Sequence, residues 1–329
     1  MRWAIDGPPY LQHVASFVSG ALPQGFDLLL SGQEGCQADQ LVRSGGYALD
    51  TYGLALYLGG IVFVAPYAAL FFAFAVYPIG YALWMGRTPS LYGDLIADAH
   101  YVRSLVNTLL FLGVGVNVKM FLALLLSGFF MRPRRWIRVL FVIYLLPWTL
   151  PAVQACISFR WMFAGEEALV DRALAVMLGV DGPIWFNHWS LALGVNIVAY
   201  VWKWMPFWTV VFVAGRMAIP RDVADAAAVD GAAGARGFVH ITFPLLANLY
   251  LVCTLLSTLW MIGEFNTVYF VSGGAPVWST DVLATLAFRY AFDAGKPALA
   301  VAAVMSVLPL LVPVIVVLMR AVHTRAVQL

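Results

Sequence analysis

Long runs of apolar residues, separated by short polar segments, make up the chain from about residue 51 onward. Between Thr51 and Gly86 there is no charged residue, and five further runs of similar character follow. Crossing the hydrocarbon core of a bilayer takes about 20 predominantly apolar residues in a helix. The pattern therefore predicts an all-α membrane protein with six transmembrane helices, at about residues 56–85, 105–130, 139–159, 191–214, 245–263 and 297–319.

Residues 1–50 depart from this pattern, because they are mixed in polarity and interrupted by glycine and proline. The apolar stretch from Leu22 to Leu30 is too short to cross a membrane. We interpret 1–50 as a cytoplasmic N-terminal extension of unknown role and 51–329 as one transmembrane domain. The start of the chain lacks a basic segment followed by a compact apolar stretch, so no removable signal peptide is expected.

Composition supports the membrane assignment and narrows the chemistry. Charged residues make up 11% of the chain and hydrophobic residues 62%, with a mean hydropathy of +0.85, whereas a soluble domain carries about 25% charged residues. The net charge of +2 is too small to indicate a nucleic-acid partner. Cys36, Cys156 and Cys253 are odd in number, and the five histidines are dispersed, so neither a disulfide framework nor a metal site is expected.

The distribution of arginine predicts the orientation in the membrane. If the N-terminus is cytoplasmic, the inner segments are 127–138, 215–244 and 320–329, and loops on the other side hold fewer basic residues, mixed with acidic ones. Basic residues accumulate in cytoplasmic loops, which predicts that both termini and segment 215–244 are cytoplasmic. The inner arginines are Arg132, Arg134, Arg135, Arg138, Arg216, Arg221, Arg236, Arg320 and Arg325.

Segment 215–244 has the pattern of a compact helical knob. Pro220 suits the start of a helix because its missing amide hydrogen is not needed there. Residues 221–230 are rich in alanine, which favours helix. Gly231 ends this helix, and a second short helix is predicted over 232–240. Two small-residue helices joined at a glycine can fit a cleft on another protein.

The same segment contains a spaced motif. Asp225-Ala226-Ala227 is followed after three residues by Gly231, and after nine more by Ile241-x-Phe243-Pro244. This resembles the EAA signature, E-A-A-x3-G-x9-I-x-L-P, of membrane subunits in binding-protein-dependent ABC importers. Aspartate replaces glutamate and phenylalanine replaces leucine, which keeps the chemistry. The resemblance implies that the loop docks on an ATPase; the alternative is an ordinary amphipathic hairpin. The implied ATPase-coupling residues are Asp225, Ala226, Ala227, Asp230, Gly231, Ile241 and Pro244.

Further motifs resemble the carbohydrate branch of these permeases, which includes maltose and glycerol-phosphate permeases. They are Asn107-Thr108-Leu109, Leu146-Pro147 with Pro151, Phe265-Asn266, Val271-Ser272-Gly273-Gly274 and Tyr290-Ala291-Phe292. Serine stands at 272 where the branch has threonine, and Ala275 precedes Pro276. The resemblance covers about residues 55–320.

The resemblance implies a multi-pass subunit in the cytoplasmic (inner) membrane of a bacterium or archaeon. With a second, unlike ABC permease it would form the translocation path for a sugar, favouring a di- or oligosaccharide, with glycerol phosphate or a polyol as the alternative. The other implied partners are two ATP-binding subunits, an extracytoplasmic sugar-binding protein and membrane lipid. Whether the second permease is the same chain or a different one is not given by the sequence.

Polar side chains inside the predicted spans are candidates for that path, because they are costly at membrane depth. Lys203 lies in the aromatic stretch 200–208, where rings could stack on sugar faces. Alternatively, this stretch packs between helices and Lys203 extends toward the membrane surface. A Lys203–Glu264 pair would neutralise both charges, whereas an unpaired Lys203 would favour an anionic substrate. Lys119 has no implied role beyond facing a partner or pairing inside the bundle. The predicted substrate-path residues are Trp202, Lys203, Trp204, Phe207, Glu264 and Asn266.

The chain contains no G-x-x-x-x-G-K-[ST] loop, so no phosphate-binding site of this kind is expected on it. We expect a permease rather than an enzyme, with no cofactor on this chain and with ATP and Mg²⁺ bound by the partner ATPase. One rival is an ion-gradient-driven secondary transporter or channel, which predicts inverted repeats and acidic or histidine relays inside the spans. Another is a membrane enzyme such as a lipid-modifying transferase, which needs converging polar residues. Neither pattern stands out.

Replacing Asp225 or deleting Gly231 is expected to abolish transport while leaving membrane insertion intact, since the motif would act through a docked ATPase rather than through the fold of the spans. Uptake assays and membrane fractionation of the two variants measure this. Wild-type uptake in both would refute the importer interpretation.

Overall fold

A computed structural model of the chain describes residues 60–165, 168–220, 222–223 and 234–326. All regular elements in these ranges are helices, which confirms the all-α prediction. The chain divides into two compact units, Met1–Pro78 and Ile79–Leu329. The N-terminal extension 1–50 lies outside the described residues.

The helices are named here in chain order. They are α1 (Gly60–Met85), α2 (Pro89–Ala97), α3 (Ala99–Phe130), α4 (Arg135–Thr149), α5 (Ala152–Phe163), α6 (Leu169–Leu178), α7 (Trp189–Met217), α8 (Phe238–Ile262), α9 (Leu283–Phe288), α10 (Pro297–Met305) and α11 (Leu308–Ala326). Within the described residues, α1, α3, α7 and α8 are each long and apolar enough to cross a membrane, and the bent pair α4–α5 makes a fifth if counted as one span.

Helix α1 contains a π-helical turn over Phe72–Val76, directly before Pro78. Proline has no amide hydrogen to donate to the carbonyl one turn earlier. A π-turn is one of the usual ways in which a helix accommodates such a gap. The proline at 78 therefore perturbs the hydrogen-bond pattern of α1 without ending the helix.

Helices α3 and α7 form the centre of the second unit. Small residues on α3 bring the two helices close: a Cβ added to Gly115 would lie 3.5 Å from the ring of Tyr200, and Ala123 is fully buried. In a bilayer, helix association depends on such close packing more than on the hydrophobic effect. The main core cluster on α3, α7 and α8 includes Phe111, Met120, Leu124, Tyr200, Trp208, Phe212, Leu246 and Met261.

The third apolar run is not one straight helix. Residues 139–159 were predicted as one span, but α4 and α5 meet at Leu150-Pro151 with a bend of 101°. A residue before proline is disfavoured in the α conformation, and Leu150 is extended, with φ −66° and ψ 143°. The bend thus has a local cause in the sequence.

The C-terminal region also contains breaks that the hydrophobic pattern does not indicate. The predicted sixth span, 297–319, is divided into α10 and α11 around Ser306, whose hydroxyl accepts a hydrogen bond of 2.8 Å from Tyr101 on α3. The segment 272–297, predicted as a loop, contains α9 followed by a π-helical turn over Arg289–Asp293. Likewise α6 lies within the predicted loop 160–190.

Ala123→Leu is expected to destabilise the fold by about 1–3 kcal/mol, because it overpacks the closed α3–α7 interface. The matched control is Ala99→Leu, which places the same side chain at an exposed position of α3. Apparent melting temperatures in detergent compare the two. Equal melting temperatures would show that the interface tolerates the added volume.

Candidate functional site

Lys203 lies on α7 and reaches the bend between α4 and α5. Its Nζ donates hydrogen bonds to the main-chain oxygens of Pro147 at 2.7 Å, Trp148 at 3.4 Å and Leu150. The residue is 4% exposed. Carbonyls at a helix C-terminus lack intrahelical partners and carry partial negative charge. Lys203 therefore stabilises the C-terminal end of α4 at the bend.

Glu264, just beyond α8, is bonded within its own turn rather than to Lys203. One carboxylate oxygen accepts hydrogen bonds from the Thr267 amide at 3.0 Å and from the Thr267 hydroxyl at 2.9 Å. This is the geometry of a side chain that caps the start of a helical turn. The structure forms neither the Lys203–Glu264 pair nor a free Lys203 ammonium, since main-chain and hydroxyl groups satisfy both charges. Asn266, in the same turn, is half-buried.

Aromatic side chains form two groups beside α7, one around Phe207 and one around Phe159. The ring of Phe207 lies 5.5 Å from Trp148 and 5.6 Å from Trp260, centroid to centroid. Trp202 lies 5.4 Å from Phe159 on α5. Trp148, Trp202 and Trp260 are all exposed, Trp260 to 53%. The two groups together are called the aromatic patch (Trp148, Phe159, Trp202, Phe207 and Trp260). Of the predicted path residues, Trp202 and Phe207 belong to it. Trp204 lies outside it, and both Trp204 and Phe207 pack against the main core.

Sequence reasoning did not select Trp148 and Trp260. Trp148 directly follows the Leu146-Pro147 motif. This position, next to a bend, is the sequence feature by which Trp148 could have been selected. Trp260 lies in an apolar run with no distinguishing neighbour, so the sequence offered no comparable signal for it.

Lys119 is buried between α3 and α7. Its Nζ donates a 2.6 Å hydrogen bond to the Tyr200 hydroxyl and lies 6.0 Å from the centre of the Trp208 ring. Only 2% of the residue is exposed. Of the two roles considered for Lys119, the structure shows pairing inside the bundle. Trp208 Nε1 and Ser257 Oγ are also buried, without a hydrogen-bond partner among the described residues.

The Asn107-Thr108 motif on α3 contacts the segment that follows α8. Asn107 Nδ2 donates to the main-chain oxygens of Ser279 at 2.8 Å and Asp281 at 2.7 Å. Thr108 Oγ1 accepts a 3.0 Å hydrogen bond from the amide of Leu283. The Asn107-Thr108 motif thus contacts residues more than 170 positions later in the chain. These side-chain-to-backbone hydrogen bonds fix the path of the 273–282 loop.

Arg289 makes further polar contacts with the 273–282 loop. Arg289 Nε lies 2.6 Å from an oxygen of the Asp281 carboxylate, and Arg289 also donates to the main-chain oxygen of Gly273 at 2.9 Å. Burial raises the pKa of the Asp281 carboxyl above its ordinary value, and the adjacent Arg289 guanidinium acts against that rise. Gly274 has φ +80°, and a Cβ there would lie 2.6 Å from Asp281 Oδ1, so the position requires glycine.

The predicted coupling residues are only partly described. Ile241 lies in the π-helical turn Phe238–Thr242 that opens α8, and it is half-buried. Pro244 is the second residue of the α-helical part that follows this π-helical turn, so a π-helical turn precedes a proline here as it does at Pro78 in α1. The remaining coupling residues, Asp225, Ala226, Ala227, Asp230 and Gly231, lie outside the described residues.

Titratable groups are scattered in the part of the chain that the structure describes. No cluster of three or more His, Cys, Asp or Glu residues there could hold a metal ion. Cys156 and Cys253 are buried free thiols. Apart from Trp208 Nε1 and Ser257 Oγ, the polar side-chain groups described above bind main-chain groups and one another.

Comparison with known proteins identifies what the chain is similar to. The family model for the inner membrane component of binding-protein-dependent transport systems matches residues 119–327. The sulfoquinovosyl glycerol transport system permease SmoG of Agrobacterium fabrum is 30% identical over 68% of this chain and 77% of that protein. The trehalose/maltose permease MalF of Thermococcus litoralis is 34% identical over 46% of this chain, and the match spans only about half, 51%, of MalF.

A solved bacterial ABC transporter that imports the acidic polysaccharide alginate contains a chain of the same fold. It superposes with a TM-score of 0.66, covering 87% of this chain and 99% of that chain. The sequence identity of 18% limits this likeness to the fold.

Lys203→Met is expected to lower stability, because an unsatisfied buried carbonyl costs about 1–3 kcal/mol. Lys203→Arg is the matched variant, since a guanidinium keeps several donors. Melting temperature in detergent is the measurement, and Lys203→Arg should retain most of the wild-type value. A Met variant as stable as wild type would mean that the three contacts contribute little.

Proposed function

Because the chain belongs to the family of binding-protein-dependent transport system inner membrane components, we propose that it imports a sugar as the membrane-spanning permease subunit of an ATP-driven transporter. The observation that carries the proposal is the extent of the family match, which covers α7, α8 and the motif between them. The chain is a permease and not an enzyme; ATP hydrolysis belongs to partner subunits, which bind ATP and Mg²⁺.

The proposed topology has six crossings, with both termini in the cytoplasm of a bacterium or archaeon. Counting α4–α5 and α10–α11 as one crossing each, together with α1, α3, α7 and α8, gives this number. The excess of arginine in 127–138, 215–244 and 320–329 supports the orientation. In this arrangement the motif that begins at Asp225 faces the compartment that contains ATP.

The proposed assembly contains a second, unlike permease, two ATP-binding subunits and an extracytoplasmic sugar-binding protein. Two observations support the binding-protein partner. The family consists of components of binding-protein-dependent systems, and a second solved structure of a bacterial alginate ABC transporter, with the same fold, is in complex with a periplasmic protein that carries an alginate pentasaccharide. Closure of the ATPases around nucleotide would move the 215–244 loops and thereby shift the permeases between two access states.

The aromatic patch supports a sugar substrate. Aromatic rings present flat apolar faces, and the two groups of the aromatic patch expose three tryptophans that can stack on a sugar. Relatives are described as permeases for sulfoquinovosyl glycerol, trehalose/maltose, xylose/arabinose and sn-glycerol-3-phosphate. Since carbonyls engage the Lys203 ammonium, it is not available to an anion. We therefore favour a neutral di- or oligosaccharide over glycerol phosphate.

Uptake by the purified assembly in proteoliposomes tests the proposal, with radiolabelled trehalose, maltose and glycerol 3-phosphate as probes. Uptake of a disaccharide is expected to require ATP and the binding protein, and to be insensitive to ionophores. Uptake that continues without ATP and stops when an ionophore is added would instead identify a gradient-driven transporter.

Trp260→Ala is expected to lower disaccharide uptake about three- to tenfold, the size of a lost aromatic contact. Trp136→Ala is the matched control: Trp136 is 54% exposed on α4, next to the arginine-rich segment and outside the aromatic patch. Initial rates of the two variants at equal protein amounts provide the comparison. Equal losses in both would argue against a path along the patch.

A further inference from the structure

Arg216 is a charged residue at the end of α7 to which the proposed mechanism gives no role. It lies in the last turn of α7, where the helix enters segment 215–244. Its Nε donates a 2.7 Å hydrogen bond to the Ser127 hydroxyl, and its Nη2 donates at 3.1 Å to the main-chain oxygen of Leu124. Both partners lie near the C-terminal end of α3. A cation there also interacts favourably with the helix dipole.

The same guanidinium contacts the other end of the loop. Its central carbon lies 5.6 Å from the centre of the Phe238 ring, and Phe238 is the first residue of α8. A cation over an aromatic ring is attracted to it. One side chain therefore joins three elements, namely the start of segment 215–244, its end, and α3.

The packing around this side chain is tight. A Cβ added to Gly128 on α3 would lie 3.3 Å from Arg216 Nη2, and one added to Gly215 would lie 2.3 Å from Leu249 Cδ2 on α8. Glycine at both positions lets the helices and the guanidinium approach closely. A planar guanidinium can hold Ser127 and Leu124 at once, which a lysine ammonium would do less well.

Helix α3 extends from this contact to the opposite end of the bundle. It is one helix of 32 residues, with a π-helical turn over Phe111–Val116, and the 20 residues between Asn107 and Ser127 span about 30 Å along its axis. Asn107 holds the 273–282 loop through two hydrogen bonds. A displacement of α3 at Ser127 is therefore carried by a continuous helix to a polar loop on the far side.

We propose that Arg216 is the positioning residue that couples segment 215–244 to α3, so that movement of the loop displaces α3 and the 273–282 loop attached to it. The inference rests on the proposed function, since it requires that an ATPase moves the loop. In this proposal Arg216 transmits the movement of the loop to α3, which is a separate role from docking of the ATPase.

The test uses the assembly purified from membranes with its co-purifying subunits and reconstituted with the binding protein. ATP hydrolysis and uptake are measured in the same vesicles, using whichever radiolabelled disaccharide the wild type transports. For Arg216→Gln we expect retained ATPase subunits, hydrolysis within about twofold of wild type, and uptake per ATP lowered about tenfold, a typical size for coupling between sites. Arg138→Gln removes an exposed arginine from α4 and should leave this ratio unchanged.

A double-mutant cycle separates the Arg216–Ser127 contact from general effects of substitution. Ser127→Ala should also lower uptake per ATP, and adding it to Arg216→Gln should produce no further decrease, because the two residues act through one contact. An unchanged ratio in Arg216→Gln would overturn the inference, as would hydrolysis and uptake that fall together. If the wild-type assembly itself neither hydrolyses ATP nor imports the sugar, the proposed function fails instead.

Discussion

Inside a bilayer there is no water to donate a hydrogen bond to an unpaired backbone carbonyl. This constraint accounts for the polar side chains of the bundle. The chain breaks or bends its helices at several points, and each break releases carbonyl groups. Lys203 donates to those at the α4–α5 bend, Asn107 to those of the 273–282 loop, and Arg216 to one near the end of α3. These long-range donors stabilise the fold together with apolar packing.

The hydrophobic pattern predicted the helices well wherever one run forms one helix. The predicted spans 191–214 and 245–263 correspond to α7 and α8; α7 extends two to three residues further at each end, and α8 begins seven residues earlier and ends at Ile262. The bends were not predicted, because proline alone does not distinguish a kink from a break. Pro206 lies inside the continuous helix α7, whereas Pro151 accompanies a turn of 101°. At the Pro151 break, the donor for the released carbonyls is Lys203, 53 to 56 residues later in the chain, and a single run of sequence does not contain that information.

In the candidate site, too, the sequence indicated individual residues but not the distant groups that they contact. Lys203 and Glu264 were recognised from sequence as buried charges, but their partners were not, because those partners are main-chain and hydroxyl groups rather than opposite charges. Resemblance selected the Asn107-Thr108 motif, and only the fold shows that this motif binds main-chain groups of Ser279, Asp281 and Leu283. Trp260 became a candidate only through its distance to Phe207.

The Lys203 contacts also constrain how the protein is made. The carbonyls at the α4–α5 bend lie 53 to 56 residues before the lysine that satisfies them. At ordinary rates of translation, the ribosome needs on the order of 3–10 s to synthesise the intervening chain. During that interval the bend has no ammonium group to bond, so α4 and α5 depend on water or the insertion machinery. Their final geometry in the lipid is therefore a late event of biogenesis, completed only when α7 arrives.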